Sequence, residues 1–216
     1  TLANYQAAIR AITFNNTSDN PSTIARTLTV VVSDGALNSN TATTTVNVTA
    51  VNDPPVARDD TNAASEDGTT TLTVSAANGV ILSNGNAATR DTDAEGNTLN
   101  VTAIRTGTEA GAGTTGTVGS GLVGTYGTLT LNANGSYTYV LNNSSAIVQN
   151  LTAGQVVQDV FTYTISDGNG GTDQAALTIN VTGAQDLTAP GPIITPLTGA
   201  ATGLNGEYYG YNGTAG

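Results

Sequence analysis

The chain has 216 residues, room for one large or two small domains, and 16 acidic residues against five arginines give it a net charge of −11. Such a chain cannot bind nucleic acid by neutralising phosphates, and anionic lipid would repel it. Without Cys and His it can form no disulfide, zinc–thiolate site or Ser-His-Asp triad, and we expect no enzyme activity. Frequent Thr, Val, Asn and Gly predict a nearly all-β protein of short strands.

The first 51 residues predict a short helix and a hairpin. Apolar residues recur at helical spacing over Tyr5–Ile12. Two β-branched runs, Thr27–Ser33 and Ala42–Thr49, are joined across the turn Asp34-Gly35 and predict paired strands. About fifty residues rarely bury enough apolar surface to fold alone. We therefore interpret residues 1–51 as the C-terminal half of a β-sandwich, completed either by an upstream segment or by another chain.

A stiff joint follows at Val51–Ala57. Pro54 and Pro55 fix φ near −65° and donate no N–H, so we expect residues 52–57 to be a short Pro-rich linker that belongs to no sheet. Asn52 and Asp53 place oxygen ligands at this joint. Carboxylate and amide oxygens between two β-domains indicate an interdomain calcium site.

Residues 56–183 predict one complete domain of about seven short strands. The predicted strands are Leu72–Val74, Leu99–Ile104, two alternating runs of a hairpin over Gly127–Tyr139, Phe161–Ser166 and Ala175–Thr182, after a first strand that ends at Glu66. This number and spacing fit a Greek-key β-sandwich. Asn134-Gly135 predicts a type I′ hairpin turn, and the Gly- and Thr-rich stretch 106–124 predicts a surface excursion.

The strand–turn unit Val30–Gly35 is repeated at Tyr163–Gly168, which indicates tandem β-sandwiches of which the first is incomplete. Residues 184–203 predict a Pro/Gly linker, and residues 204–216 begin a further apolar segment.

Five motifs in the complete domain carry a resemblance to known proteins. They are Glu66–Gly68, Asn78–Val80, Asp91–Leu99, Tyr126–Tyr137 and Ser166–Asp173. Together they resemble the VCBS and bacterial cadherin-like, Ig-type repeats of large secreted adhesins, including repeats-in-toxin adhesins. Residues 1–51 resemble the end of a neighbouring cadherin-like repeat, and Gly203–Tyr209 is similar to the opening of a PA14 domain. The chain departs from the common pattern at Asn97 and Gln185, and both residues keep an oxygen ligand.

The resemblance implies a calcium-stabilised structural extender of a bacterial cell-surface adhesin. Such a protein is secreted and acts in cell adhesion and biofilm formation. Its partners would be neighbouring repeats of the same chain, with carbohydrate bound only through the PA14-like segment. The alternatives are a self-assembling extracellular filament subunit, completed by strand exchange with other copies, and part of a carbohydrate-binding module.

The order of the strands sorts the acidic residues between the two ends of the sandwich. Successive loops alternate between the ends, so Asp91, Asp93, Glu95 and Asp167 should face the Asn52-Asp53 joint and hold Ca²⁺ there. Asp19 could reach this joint from the first unit. Glu66 and Asp67 should lie at the far end, near Asp186, and form half of a second joint. The competing interpretation is that these side chains only cap turns.

Overall fold

The computed structural model describes residues 2–185. These residues belong to the first of two units, Thr1–Gln185, whereas the second runs from Asp186 to Gly216. Three predicted features lie outside the described residues: the ligand Asp186, the PA14-like segment 204–216 and nearly all of the 184–203 linker.

The described residues form two α-helices, two short 3₁₀ helices and eleven strands. The helices are α1 (Leu2–Arg10), α2 (Ala146–Gln149) and the 3₁₀ turns Ala76–Asn78 and Ser83–Gly85. The strands are β1 (Arg26–Val30), β2 (Ala42–Val46), β3 (Asp60–Ser65), β4 (Thr71–Val74), β5 (Asn100–Thr106), β6 (Thr115–Gly116), β7 (Gly121–Val123), β8 (Gly127–Leu131), β9 (Tyr137–Leu141), β10 (Val156–Ser166) and β11 (Thr172–Thr182).

The N-terminal part is an open hairpin with a helix before it. Strands β1 and β2 pair antiparallel, with Leu28 opposite Thr44 and Val30 opposite Ala42. Among residues 2–185 no further strand joins this two-stranded sheet. Large apolar side chains stay exposed as a result, and Ile24 and Leu37 are each 76% accessible.

Strands β3–β11 form a β-sandwich, which confirms the predicted fold class. One sheet has the order β3-β11-β10-β5-β6 and the other has the order β4-β9-β8-β7. Every pairing is antiparallel except that between β3 and β11, which is parallel. Alternating side chains of both sheets fill the core, among them Phe161, Leu129 and Leu177, which are completely buried.

The structure has nine strands in the complete domain where the sequence predicted about seven. The two additional strands, β6 and β7, lie in the stretch 106–124, so the prediction of a simple surface excursion there is wrong. Leu122 in this stretch packs into the core at 5% exposure. The sequence did not indicate these two strands, because strands of two and three residues are too short to show alternation and the stretch is rich in Gly and Thr.

The turn between β8 and β9 also differs from the prediction. Gly135 has a φ of +82°, but within residues 2–185 Ser83 is the only non-glycine residue with positive φ, so Asn134 cannot occupy a type I′ turn. The Gly135 N–H donates to the Asn132 carbonyl at 2.9 Å, and the Asn132 N–H donates to the Ser136 carbonyl at 2.9 Å. This pattern is a three-residue hairpin loop with a glycine bulge, and the type I′ prediction is wrong.

A buried carboxylate fixes the edge of the four-stranded sheet. Asp159 on β10 is 3% exposed. Its Oδ1 accepts the N–H of Thr125 at 2.9 Å, and its Oδ2 accepts the N–H groups of Tyr126 and Gly127 and the hydroxyl of Tyr139. Four donors satisfy the two oxygens, which lets this polar side chain lie inside the sandwich.

Candidate functional site

The joint segment, residues 51–57, is attached to the complete domain by backbone hydrogen bonds. Val56 and Thr92 form an isolated antiparallel bridge, with N–H to carbonyl distances of 2.8 and 3.0 Å. Among residues 2–185 no sheet includes this segment, but the bridge at Val56 ties it to the domain. Pro55 is buried, so the second proline packs onto the domain.

Carboxylates of the domain bind the backbone that follows the prolines. The Ala57 N–H donates to Oδ2 of Asp173 at 2.8 Å, and the Arg58 N–H donates to Oδ1 of Asp91 at 2.8 Å. In the opposite direction, the Ala176 N–H donates to Oδ1 of Asp59 at 2.9 Å. These bonds to carboxylates, together with the Val56–Thr92 bridge, hold residues 56–59 on the sandwich.

Before the prolines, the side chains of Asn52 and Asp53 meet two loops of the domain. The Asn52 Nδ2 donates to Oδ2 of Asp167 at 2.6 Å, and the Asp53 N–H donates to Oε2 of Glu95 at 3.3 Å. Asn97 completes the group, since its Nδ2 donates to Oδ1 of Asn52 at 3.3 Å. The loop between β4 and β5 and the β10–β11 turn therefore both face the joint, as the order of the strands predicted.

We call this group the joint cluster. It consists of Asn52, Asp53, Asp93, Glu95, Asn97 and Asp167.

The local turn structure presents these oxygens to the joint. Asp93 Oδ1 accepts the N–H of Asn97 at 2.9 Å, which closes the loop around Gly96 in an Asx-type turn. Asp167 Oδ1 accepts the N–H groups of Asn169 and Gly171 at 2.7 and 3.0 Å. The hydrogen bond from Asn52 and those from Asn169 and Gly171 lower the pKa of Asp167, because they stabilise its charged form. Turn capping thus uses one oxygen of each carboxylate and leaves the other for the joint.

Two carboxylate oxygens of the joint cluster have no partner. Asp93 Oδ2 and Glu95 Oε1 are buried and accept no hydrogen bond within the described residues, and the same is true of Asp91 Oδ2 beside them. A buried, unpaired carboxylate oxygen is unfavourable by several kcal/mol unless a cation or a donor approaches it. The donor set of carboxylate and amide oxygens suits Ca²⁺.

The carboxylates do not form a ready-made metal site. In residues 2–185 no three side chains among Asp, Glu, His and Cys converge closely enough to hold an ion. A cation at the joint would draw Asp93, Glu95 and Asp167 together, with the Asn52 and Asn97 amides and backbone carbonyls completing the shell. An open cavity of about 450 Å³, lined in part by Asp91, Asp93 and Asn97, gives solvent access to this region.

Asp91 is set apart from the other predicted ligands. It is 3% exposed, and burial raises its pKa from 3.8 to about 7, with the charges of Asp60 and Asp173 adding to the increase. Burial likewise raises the pKa of Asp60 to about 6. The hydroxyl of Tyr163 lies 2.9 Å from the carbonyl oxygen of Arg58 and 3.1 Å from Oδ2 of Asp60, so its single hydrogen has two acceptors within reach. Asp91 therefore connects the joint segment to a second group of acids, Asp60 and Asp173.

The remaining predicted ligands lie elsewhere. Glu66 is at the far end of the sandwich and 1% exposed, and its two oxygens accept from Gln149 Nε2 at 2.8 Å and from the Ala184 N–H at 2.9 Å. Asp67 beside it is exposed. Asp19 is exposed and makes no hydrogen bond to the joint cluster within the part of the chain that the structure describes.

Sequence reasoning missed two functional roles. Asp173, which holds the Ala57 N–H, lies in the quoted Ser166–Asp173 motif, but nothing in its spacing indicated that it binds the joint backbone. Asn97 was noted only as a departure from a pattern, although its Nδ2 contacts Asn52 across the joint. Both contacts join residues far apart in the chain, so only the tertiary structure reveals them.

Comparison with known proteins gives one extensive match. Residues 52–183 match the model of the bacterial cadherin-like domain. No curated protein matches the chain. Among solved structures, EC1-2 of human mucin-like protocadherin is similar at 15% identity and a TM-score of 0.41, covering 74% of this chain and 69% of that one. An endo-fucoidan hydrolase of glycoside hydrolase family 107 is similar at 15% identity and a TM-score of 0.26, over 73% of this chain and 22% of the hydrolase.

No helix in residues 2–185 combines the length and the apolar character needed to cross a membrane.

Proposed function

The chain belongs to the bacterial cadherin-like domain family, and from this premise we propose that it is a calcium-stiffened extender segment of a cell-surface adhesin. Domains of this family are adhesion-type extracellular modules. The extender would hold an adhesive module away from the cell during adhesion and biofilm formation. Its partners would be neighbouring repeats of the same protein, and we propose no catalytic role.

The observation that carries the proposal is the pair of buried, unpaired oxygens in the joint cluster. Among the described residues Asp93 Oδ2 and Glu95 Oε1 have no donor, while Asn52 donates to Asp167 and the Asp53 N–H donates to the other oxygen of Glu95. Without a cation the carboxylates repel one another, and the joint is held by the bonds at residues 56–59 and by the hydrogen bonds that Asn52 and Asp53 make to the two loops. One Ca²⁺ ion shared by the joint and the two loops would remove both the repulsion and the freedom of residues 51–54.

Calorimetric titration of the chelator-treated chain with CaCl₂ tests this proposal. Extracellular calcium modules have dissociation constants of about 10⁻⁴–10⁻³ M, and we expect a value in this range. Asp93→Asn keeps the acceptor for the Asn97 N–H but removes a charge, so the fold should persist while affinity falls at least about tenfold. Asp34→Asn is the matched control: Asp34 is an exposed turn acid whose Oδ1 also accepts backbone N–H groups, and its neutralisation should leave affinity unchanged.

Heat release that is equal in the parent chain and in Asp93→Asn would count against the joint cluster as the ligand set. In that case Glu66→Gln, at the opposite end of the sandwich, would test whether calcium binds at the second predicted joint. No heat release at any calcium concentration up to several millimolar would exclude the calcium proposal altogether, because that range exceeds the weakest dissociation constants of such modules.

A second candidate function, strand exchange between copies, is favoured by the register of the open hairpin. The pairs Leu28–Thr44 and Val30–Ala42 correspond in sequence to Phe161–Leu177 and Tyr163–Ala175 of β10 and β11. In the complete domain β5 pairs with the free edge of β10, and β3 pairs with the free edge of β11. The open hairpin lacks both neighbours within residues 2–185, so its edges and apolar face are available to another strand.

Sedimentation velocity over a range of protein concentrations tests strand exchange. If copies associate through this hairpin, Leu28→Glu should dissociate them, because Leu28 takes the core-facing position of Phe161. Thr27→Glu changes the neighbouring residue on the opposite face and should leave association intact. A monomer at all concentrations, or equal behaviour of the two variants, would remove this candidate.

A further inference from the structure

Four Asn-Gly pairs lie in the described residues, and the structure separates one of them from the rest. The pairs are Asn78-Gly79, Asn84-Gly85, Asn134-Gly135 and Asn169-Gly170. In such pairs the backbone nitrogen of glycine can attack the preceding side-chain amide, because glycine has no Cβ to hinder the approach. Whether it does so in a folded protein depends on how each N–H and each amide is held.

In three of the pairs the glycine N–H is engaged in a turn. Gly79 donates to the Ala76 carbonyl at 3.3 Å, Gly85 to the Leu82 carbonyl at 2.7 Å, and Gly135 to the Asn132 carbonyl at 2.9 Å. The Asn134 amide is held as well, since its Oδ1 accepts from the N–H and the hydroxyl of Ser136. The nitrogen of each of these glycines must leave its hydrogen bond before it can attack.

The fourth pair has neither restraint. Asn169 and Gly170 are both exposed in the β10–β11 turn. Within residues 2–185 the Gly170 N–H has no acceptor and the Asn169 amide has no partner, although Asp167 Oδ1 binds the N–H groups of Asn169 and Gly171 on either side. Gly170 has a φ of +104°, a conformation that glycine adopts without strain.

We propose that Asn169 is a site of spontaneous covalent modification, converted to aspartate and isoaspartate while the other three Asn-Gly pairs of residues 2–185 are protected by their turns. The Gly170 nitrogen bonds to Cγ of Asn169 as the Cγ–NH₂ bond breaks. Ammonia leaves, its third hydrogen supplied through water by the proton that the Gly170 nitrogen loses. Water then opens the cyclic imide at either carbonyl, which gives aspartate or isoaspartate at position 169.

Modification of Asn169 would alter the position and surroundings of Asp167 at the joint. Aspartate at 169 adds a charge next to Asp167, and isoaspartate lengthens the backbone of the turn that positions Asp167 through the Asn169 and Gly171 N–H groups. This consequence rests on the proposed calcium function, whereas the modification itself does not. A chain that has aged outside the cell would therefore carry an altered joint cluster.

Peptide mapping by mass spectrometry during incubation of the folded chain at neutral to mildly alkaline pH tests the proposal. We expect deamidation at Asn169 to be at least about fivefold faster than at Asn78 or Asn134. At those two sites the glycine N–H must first break a hydrogen bond of about 1 kcal/mol, which slows the reaction by about that factor. In denaturant the pairs should react at similar rates, because their turns are lost. Asn169→Gln should abolish the early deamidation product in the peptide that contains position 169. Equal rates at Asn169 and Asn134 in the folded chain, or faster reaction at Asn134, would overturn the proposal whether or not the chain binds calcium.

Discussion

Asp91→Asn is expected to stabilise the sandwich in calcium-free buffer at pH 8. Asp91 is 3% exposed, and its Oδ1 accepts the Arg58 N–H while its Oδ2 has no partner. An asparagine at this position keeps the acceptor for Arg58 and removes the unpaired charge. It also removes the repulsion from Asp60 and Asp173.

The size of the effect follows from the pKa of Asp91, which burial raises from 3.8 to about 7. At about 1.4 kcal/mol for each pKa unit, ionisation of Asp91 lowers the free energy of unfolding by at most about 4 kcal/mol at pH 8. Water that reaches the loop screens part of this, so we expect a gain of about 2 kcal/mol for Asp91→Asn.

The sign of the pH dependence is fixed by the direction of the shift. Because the folded pKa lies above the unfolded one, the stabilisation by the neutral form is complete below about pH 4 and is lost as the pH rises through 7. The parent chain should therefore be more stable at pH 5 than at pH 8 when calcium is absent. The gain from Asp91→Asn should be largest at pH 8 and less than half as large at pH 5.

Urea unfolding in the presence of chelator at both pH values measures this prediction. Asp34→Asn is the control, because Asp34 is exposed and hydrogen bonds from Leu37 and Ala36 lower its pKa. That variant should show no gain at pH 8. The reasoning is refuted if Asp91→Asn is less stable than the parent chain at pH 8, or if its gain is equal at the two pH values.

Three further predictions concern the sandwich and the joint. Gly135→Val should lower the free energy of unfolding by about 2 kcal/mol or more, because φ is +82° and the new Cβ would lie 3.0 Å from the Ile81 nitrogen. Gly154→Val, with positive φ but open space, should lose less, and equal losses would contradict the packing argument. Asp159→Ala should lower the free energy of unfolding by about 3 kcal/mol or more, since four donors lose their acceptor, whereas Tyr139→Phe should lower it by about 1 kcal/mol. Asp173→Ala should speed amide hydrogen exchange at Ala57, with Asp67→Ala as the control, and unchanged exchange would mean that the 2.8 Å bond does not hold the joint.

The sequence predicted the regular strands of the sandwich because their alternation is strong. The run Gly127–Leu131 alternates buried and partly buried residues and lies in the predicted hairpin, and the predicted strand Phe161–Ser166 forms the second half of β10. Strand β3 carried no such signal: its residues, Asp60–Ser65, are mostly small or polar, and its parallel pairing with β11 joins the two ends of the domain. Such a long-range pairing has no local pattern.

The joint was predictable in part. Loop alternation correctly brought Asp93, Glu95 and Asp167 to the side of Asn52 and Asp53, since it depends only on strand order. It could not separate Asp91, whose side chain faces Arg58 and the Asp60 group although it is two residues from Asp93. Loop alternation also could not show that the backbone after Pro55 is bound to the domain. A side-chain to backbone bond such as that between Asp173 and the Ala57 N–H has no recognisable sequence pattern.

Calcium stiffening of the joint is tested most directly by small-angle X-ray scattering of the chain in chelator and in excess calcium, together with the melting temperature. At a free calcium concentration ten times the dissociation constant, one site adds about 1.4 kcal/mol to the bound form. We expect calcium to narrow the distribution of overall dimensions and to raise the melting temperature, and the double variant Asp93→Asn with Glu95→Gln should lose both effects. Identical scattering curves and melting temperatures with and without calcium would contradict the account and leave these acids as turn caps alone.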